Sequence, residues 1–308
     1  MANLDEVREI ANLQNIKINP DTIKPLHSQG LMSHIYEAES ENGPVVIHLG
    51  TPTSEQKRQD VPNKIHAISR LHNVPGAKIF GAGYHMGKYF IVQQKLDGVA
   101  AGHRAIKEDN FIDVCNESRE IYLKEALQML AELHKTTIKG FGPIKADGSG
   151  MYGTWKEFLE NLVIEALNTL EIYQKENNFF KINSKQEIMQ IMFSKANDSL
   201  VKDVKISRLI HGDMINFGNI LVKNGHVAGI IDYEWGLGGD PPYEFAFTIN
   251  EPVDEYIKLA NQDKVEFEYK RKLYRAFWLL WGCSVHPKGT PVGKLLEKEF
   301  FFELGLKS

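Results

Sequence analysis

Cysteine is scarce in this chain: Cys115 and Cys283 are the only two in 308 residues. Two thiols so far apart in sequence exclude a disulfide framework or a cysteine zinc cluster as the basis of the fold. Long apolar runs are also missing. The most apolar one, Ala276 to Val285, is far too short to cross a bilayer. There is no dense basic stretch, and a formal net charge of -4 argues against broad electrostatic binding to nucleic acid. The opening Met-Ala-Asn-Leu-Asp-Glu lacks the charged-then-apolar order of a secretory signal. The expected setting is therefore cytoplasmic, with no membrane and no nucleic-acid partner. The remainder is ordinary for a globular protein, 43% hydrophobic and 25% charged, and long enough for two lobes with separate cores.

The most informative stretch runs from Arg208 to Ala246. An apolar strand leads into His211-Gly212-Asp213, and Asn219 then precedes two short apolar runs, Ile220 to Val222 and Val227 to Ile231. Asn224-Gly225 lies between these runs and favours a two-residue type I′ hairpin turn. With that tip, residue 219 falls opposite 230 and residue 217 opposite 232. Asn219 and Asp232 then meet at the open end of the hairpin, with Asp213 in the loop leading into it. Two carboxylates and an amide oxygen at one spot suit a hard divalent cation such as Mg²⁺, and phosphoryl transfer from a nucleotide is the chemistry that most often needs one. Taken singly, each residue also has a structural reading, since Asp and Asn favour turns and His211 fits a buried histidine. The ordered set points to chemistry.

Residues 1–95 read as a strand-rich lobe. Strand candidates are Ile35 to Ala38, Pro44 to Leu49, Ile79 to Gly83 and Tyr89 to Gln94, with a helix over Val61 to Leu71 between the second and third. The turn containing Ser28, Gly30 and Ser33 has the make-up of a loop that lays backbone N–H groups and hydroxyls over phosphates, although an ordinary hairpin has the same composition. After Leu96-Asp97-Gly98 the pattern becomes helical. Helices are predicted over Ser118 to His134, Thr154 to Tyr173 (Thr154 and Glu157 forming a capping box), Lys185 to Leu200, Val253 to Leu259, Val265 to Trp281, and from Val292. The fold class is α+β. An N-terminal nucleotide-binding lobe, 1–95, is joined through a hinge at 95–99 to a C-terminal catalytic and substrate-binding lobe, 96–308.

These motifs resemble the aminoglycoside phosphotransferase family, which has a protein-kinase-like two-lobe fold. The resemblance rests on His211-Gly212-Asp213, Asn219, Ile231-Asp232 and Gly239-Asp240-Pro241, and on Leu127 to His134 before them. Gly140 to Trp155 is similar to the hygromycin B phosphotransferase branch. The resemblance implies Asp213 as the catalytic aspartate, Asn219 and Asp232 as ligands of Mg²⁺, and His211 and Asp240 as residues that hold the loops in shape. It makes the Ser28–Ser33 turn the nucleotide-covering loop, assigns Gln93, Gln94 and Leu96 to backbone contacts with the base, and implies ATP or GTP as donor.

The chain also departs from the family. Asp213 to Asn219 is six steps where five are usual, which leaves Asn216 as a rival ligand. The third strand places His48 where a phosphate-binding Lys is usual. Lys64 on the following helix is a possible replacement for that charge, and Asp60 a cap for the helix. For the acceptor, Glu234, Glu251, Asp254 and Glu255 are candidates to hold ammonium groups, as is Glu244. Trp235 is a candidate for stacking, with Tyr243, Trp278 and Trp281. The acids also fit a solvated helix face, and the aromatics a helical core stripe. The leading expectation is an antibiotic kinase of aminoglycoside type, and so a resistance enzyme. A kinase for a sugar, amino alcohol or choline-like metabolite, and a nucleotide-binding pseudokinase, remain as alternatives.

Overall fold

The computed structural model describes residues 4–26, 33–50, 61–71, 76–107, 110–115, 119–173, 179–180, 183–214, 217–247, 253–286 and 289–307. The small lobe is a five-stranded antiparallel sheet in the order β1-β2-β3-β5-β4. Its strands are Lys24–Pro25 (β1), Ser33–Ser40 (β2), Gly43–Gly50 (β3), Ile79–His85 (β4) and Lys88–Gln94 (β5). Side chains alternate across a strand, and both faces of this sheet are covered. Val45, Ile47, Leu49, Phe90 and Val92 pack with Val7, Ile10 and Ala11 of helix α1, Leu4–Leu13. Tyr89 and Ile91 pack with Val61, Ile65 and Ile68 of helix α2, Val61–Ser69.

The second cluster continues into the large lobe through Tyr122, Leu130, Ile220, Val222, Ile230 and Tyr233. Apolar packing therefore crosses the junction between the lobes. The chain leaves β5 through Lys95, whose amide bonds to the Pro44 carbonyl at 2.9 Å.

The segment after Gly98 departs from the expected run of helix. Val99–Ala100 (β6) pairs with the later hairpin, and Gly102–Lys107 (β7) pairs with Asn110–Cys115 (β8). The physical reason is the short connection between two apolar-containing runs, which favours local strand pairing over a helix. Helix α3, Arg119–Leu133, then begins the helical body.

Helix α4, Trp155–Ile172, starts as predicted: Thr154 Oγ1 accepts the Glu157 amide at 3.1 Å, and Glu157 Oε2 accepts the Gly153 amide at 3.0 Å. The helix expected over Lys185 to Leu200 is broken into α5, Lys185–Ala196, and α6, Ser199–Lys202. Asp198 causes the break by capping the new start, its Oδ1 taking the Leu200 amide at 2.9 Å. Helices α7 (Asp254–Leu259), α8 (Lys264–Val285) and α9 (Pro291–Glu303) complete the lobe. Trp155, Tyr274, Phe277 and Phe300 lie in its main core. Among the described residues no helix is long and apolar enough to cross a membrane.

Two small sheets position the motifs. Phe141–Ile144 (β9), Gly150–Tyr152 (β10), Arg208–Ile210 (β11) and Leu237–Gly239 (β14) form one, in the order β10-β9-β14-β11. Ile220–Lys223 (β12) and His226–Ile230 (β13) form the other, with β6 on the far side of β12. Because β11 pairs antiparallel with β14, the loop beginning at His211 emerges beside the segment between Asp232 and Gly236.

Candidate active site

The hairpin turns at Asn224-Gly225, where φ is +53° and +79°, as a type I′ turn requires. Lys223 pairs with His226 and Val222 with Val227, but Leu221 then pairs with Gly229 and Ile220 with Ile230. Ala228 is the extra residue of a bulge, and it corrects the register expected from sequence by one position. The Asn219 carbonyl consequently accepts the Ile231 amide at 3.0 Å, so Asn219 faces Ile231 and Asp232 follows immediately.

Asn219 is buried, and its Nδ2 donates to both the Asp213 carbonyl (2.8 Å) and Asp213 Oδ2 (3.0 Å). Both partners are acceptors, so the amide nitrogen must face them and the amide oxygen is turned away. Asp232 has a left-handed backbone, φ 68° and ψ 57°, and its carboxylate makes no capping bond to the turn Tyr233–Trp235 that follows. A non-glycine residue held there stores roughly 1–3 kcal/mol of strain, a feature that clusters at functional sites. An amide oxygen and two carboxylates are hard donors of the kind Mg²⁺ takes. Among the described residues no three His, Cys, Asp or Glu side chains form a metal-holding group.

His211 fixes the loop through both ring nitrogens. Nε2 donates to the Ile231 carbonyl at 2.8 Å, and Nδ1 accepts the Asp213 amide at 3.2 Å. One donor and one acceptor define a neutral tautomer, and burial pushes the ring's pKa down despite the nearby Glu244 charge. The same histidine therefore links the residue before Asp232 to the amide of Asp213.

Glu244 was expected among the acids facing an acceptor, but it is 2% exposed beneath the loop. Its carboxylate accepts the amides of His211 (2.7 Å), Gly212 (3.1 Å) and Met214 (3.4 Å), with His134 Nε2 3.6 Å away. Burial alone would raise its pKa; the His134 ring and the Gly212 amide outweigh that and hold it below the ordinary glutamate range. Gly212 has φ +82°, and a Cβ there would lie 2.5 Å from the Trp235 carbonyl oxygen, so no other residue fits the turn without strain.

Asp240 is buried and accepts Tyr274 Oη at 2.6 Å, with Lys270 Nζ at 3.3 Å. Burial raises its pKa, and Lys270 and Tyr274 only partly oppose the rise. Helix α8 grips the same turn further on: Arg271 Nε donates to the Phe245 carbonyl at 2.9 Å and Arg275 to the Phe247 carbonyl at 2.9 Å. Sequence reading missed this role of Lys270, Arg271, Tyr274 and Arg275. Their i, i+1, i+4, i+5 spacing was the available signal, because it puts them on one side of the helix.

Ser28 and Gly30, Asp60, Asn216 and Glu251 lie outside the described residues. Ser33 is buried and pairs with Gly50, and the Leu26 amide bonds to the Ile35 carbonyl at 2.9 Å. His48 is buried on β3 opposite Ile91. On β5 Gln93 is buried, and the Gln94 amide is taken by the Lys78 carbonyl at 2.8 Å. Leu96 packs close to Gly229, where an added Cβ would meet its Cδ1 at 2.6 Å.

Glu234 also departs from expectation. It is 5% exposed and accepts Tyr89 Oη at 3.2 Å, joining the lobes instead of facing an acceptor. Asp254 is exposed but ion-paired with Lys264 at 2.6 Å, and Glu255 is half-buried on the same first turn of α7. Tyr243 and Trp278 are core residues. Trp235 is half-buried, its ring edge-on to Trp281 with centroids 4.7 Å apart.

The family model for the phosphotransferase enzyme family matches residues 25–263. The chain belongs to this family. It is 27% identical over 126 residues to hygromycin-B 4-O-kinase from Escherichia coli, a match covering 40% of this chain and 33% of that protein. Among solved structures it is similar to aminoglycoside phosphotransferase APH(4)-Ia (TM-score 0.62, 15% identity, 98% of this chain and 99% of that one). A thermostable mutant of that enzyme in ternary complex with ADP and hygromycin B gives a TM-score of 0.60 at 16% identity, covering 98% and 95%. Macrolide 2'-phosphotransferase type I gives 0.61 at 15% identity, covering 96% of each chain. At these identities the structural likenesses carry the fold, which is the two-lobe architecture expected from the motifs.

Proposed function

We propose that the protein transfers the γ-phosphoryl group of ATP or GTP to a hydroxyl of an aminoglycoside-type antibiotic, with hygromycin B the first acceptor to test. The observation that carries this reading is the Asp213 carboxylate, gripped by the Asn219 amide at 3.0 Å on a loop anchored by His211 and Glu244. Family membership and the hygromycin-B 4-O-kinase match support the acceptor class. The small lobe, through residue 95, serves as the nucleotide side of the cleft, and the remainder as the catalytic and acceptor side. The expected cellular setting is the cytoplasm, where nucleoside triphosphate is available.

In this reading Asp213 accepts a hydrogen bond from the acceptor hydroxyl, aligns it on the γ-phosphorus, and takes its proton late. A loose transition state demands little early deprotonation, so positioning and electrostatics supply most of the rate. Asp232 and the Asn219 amide oxygen are the residues that would hold Mg²⁺, whose charge stabilises phosphate oxygens when it is bound. His211, neutral and bonded at both nitrogens, keeps the spacing between the Asp213 and Asp232 segments. Trp235 offers a partly open ring beside the catalytic loop for the acceptor.

The test is a coupled assay of nucleotide turnover with ATP and with GTP, across hygromycin B, other aminoglycosides, macrolides and small metabolic alcohols. Turnover that depends on hygromycin B and disappears in Asp213→Asn is the expected result. Turnover only with a sugar or amino alcohol would replace the acceptor assignment, and nucleotide binding without transfer to any of them would overturn the catalytic one.

A further inference from the structure

Three buried polar side chains stand in line behind the catalytic loop. Tyr256 on α7 is fully buried, and its hydroxyl lies 2.6 Å from Nδ1 of His134, the residue that follows α3. The other ring nitrogen of His134, Nε2, is buried, makes no hydrogen bond among the described residues, and stands 3.6 Å from Glu244 Oε2. That carboxylate in turn takes the amides of His211, Gly212 and Met214, on both sides of Asp213. Aromatic rings wall the line off from water. Phe245 is edge-on to the His134 ring, and both Phe245 and Phe267 pack against the Tyr256 ring, with centroids 4.6 and 5.6 Å away.

A neutral imidazole has one N–H donor and one acceptor nitrogen. A lone pair on Nε2 would point at the Glu244 carboxylate, whereas an N–H there points a positive hydrogen at it. Nδ1 is then the acceptor, and the Tyr256 hydroxyl is the donor that satisfies it. The partner of one ring nitrogen sets the proton on the other, so the hydroxyl selects the form of His134 that supports Glu244. Phenylalanine at 256 would keep the ring packing and remove only that donor. Nδ1 would be left unpaired in a dry site, and a proton moving onto it would turn a lone pair toward the carboxylate that carries the loop.

We propose that Tyr256 is a positioning residue for Asp213, acting through the tautomer of His134 and the carboxylate of Glu244. Its kinetic consequence rests on the functional reading above. The test is NMR of the histidine ring nitrogens and the backbone amides in the isotope-labelled full chain and in Tyr256→Phe, with steady-state kinetics beside it. In the unaltered protein His134 should carry its proton on Nε2 alone at neutral pH. In Tyr256→Phe that preference should be lost, and the amide signals of His211, Gly212 and Met214 should move. Turnover should fall about tenfold, the scale of one hydrogen bond, with KM for ATP within about twofold of the unaltered value. A merely structural tyrosine would lower urea stability but leave the tautomer, the loop amides and kcat as they are, and that result would overturn the proposal. So would a proton on His134 Nδ1 in the unaltered protein, a measurement that needs no variant to fold. No turnover by the unaltered protein with any acceptor defeats the functional reading, and the tautomer and the loop amides then decide the linkage by themselves.

Discussion

Replacing Glu244 tests whether the catalytic loop is held from beneath by one carboxylate. That group accepts the amides of His211, Gly212 and Met214, the first at 2.7 Å, from a position 2% exposed. A hydrogen bond to a charged group contributes about 1.5–3 kcal/mol net, and a buried amide left without an acceptor costs about 1–3 kcal/mol. The Met214 contact at 3.4 Å is weak, and contributions within one network do not add. Glu244→Ala should therefore cost about 3–5 kcal/mol, the range for breaking a buried charged contact. Glu244→Gln keeps one acceptor oxygen but turns a donor toward the amides, and should cost about 2–3 kcal/mol. Urea unfolding followed by circular dichroism measures both, with the slope unchanged if only the native state is affected. The sign with pH is fixed as well. A carboxylate whose native pKa is depressed contributes stability above its ordinary value and loses it as pH falls through the native one. The gap between wild type and Glu244→Gln should accordingly close on acidification below the ordinary glutamate range. A loss under about 1 kcal/mol, with no closing of the gap, would refute the anchoring role.

Three further outcomes follow from the same geometry. Asp213→Asn should lower kcat by at least about a thousandfold, the scale on which positioning and base catalysis combine, while urea stability stays within about 1 kcal/mol; steady-state kinetics beside unfolding curves checks it. Asp240, whose pKa burial raises, has the opposite pH slope to Glu244: its contribution is greatest below the ordinary aspartate value and declines as pH rises through the native one. Asp240→Asn should thus gain stability relative to wild type between acid and neutral pH, and a parallel pair of melting curves would exclude this. Gly239→Ala would place a methyl 2.6 Å from Ile210 Cδ1 and 2.8 Å from the Trp155 ring, an overpacking worth about 1–3 kcal/mol in urea unfolding.

What the sequence made legible was local. The β3 and β5 strands, the Thr154 cap and the Asn224-Gly225 turn were readable because their causes lie within a few residues of one another. The Ala228 bulge was not, since a two-residue turn fixes pairing only until an extra residue slips it. Helix α1 went unpredicted, although Val7, Ile10 and Ala11 repeat at helical spacing and Asn3 stands directly before Leu4. The β7–β8 pair fell within a stretch read as uniformly helical. In each case a local rule was in force, but a longer-range contact or a competing period decided the outcome.

Glu234 and Glu244 carry the same argument to the site itself. They are ten residues apart, flanked alike by aromatic residues, and equally plausible as acids on an open face. Each is instead buried and bonded to groups remote in sequence. Glu234 meets Tyr89, 145 positions earlier, and Glu244 meets His211, 33 positions earlier. A charged side chain enters a core only when waiting partners replace its hydration, and those partners are assembled by the β11–β14 pairing and by α2 resting on the Tyr233–Trp235 turn. The first carboxylate ties the turn after Asp232 to the small lobe, and the second ties the Asp213 loop to the large one. The two halves of the candidate site are therefore held through different glutamates. Tyr89→Phe should consequently alter nucleotide KM while leaving the acid-linked stability governed by Glu244 as it is, and a shift of both together would show that the two anchors behave as a single unit.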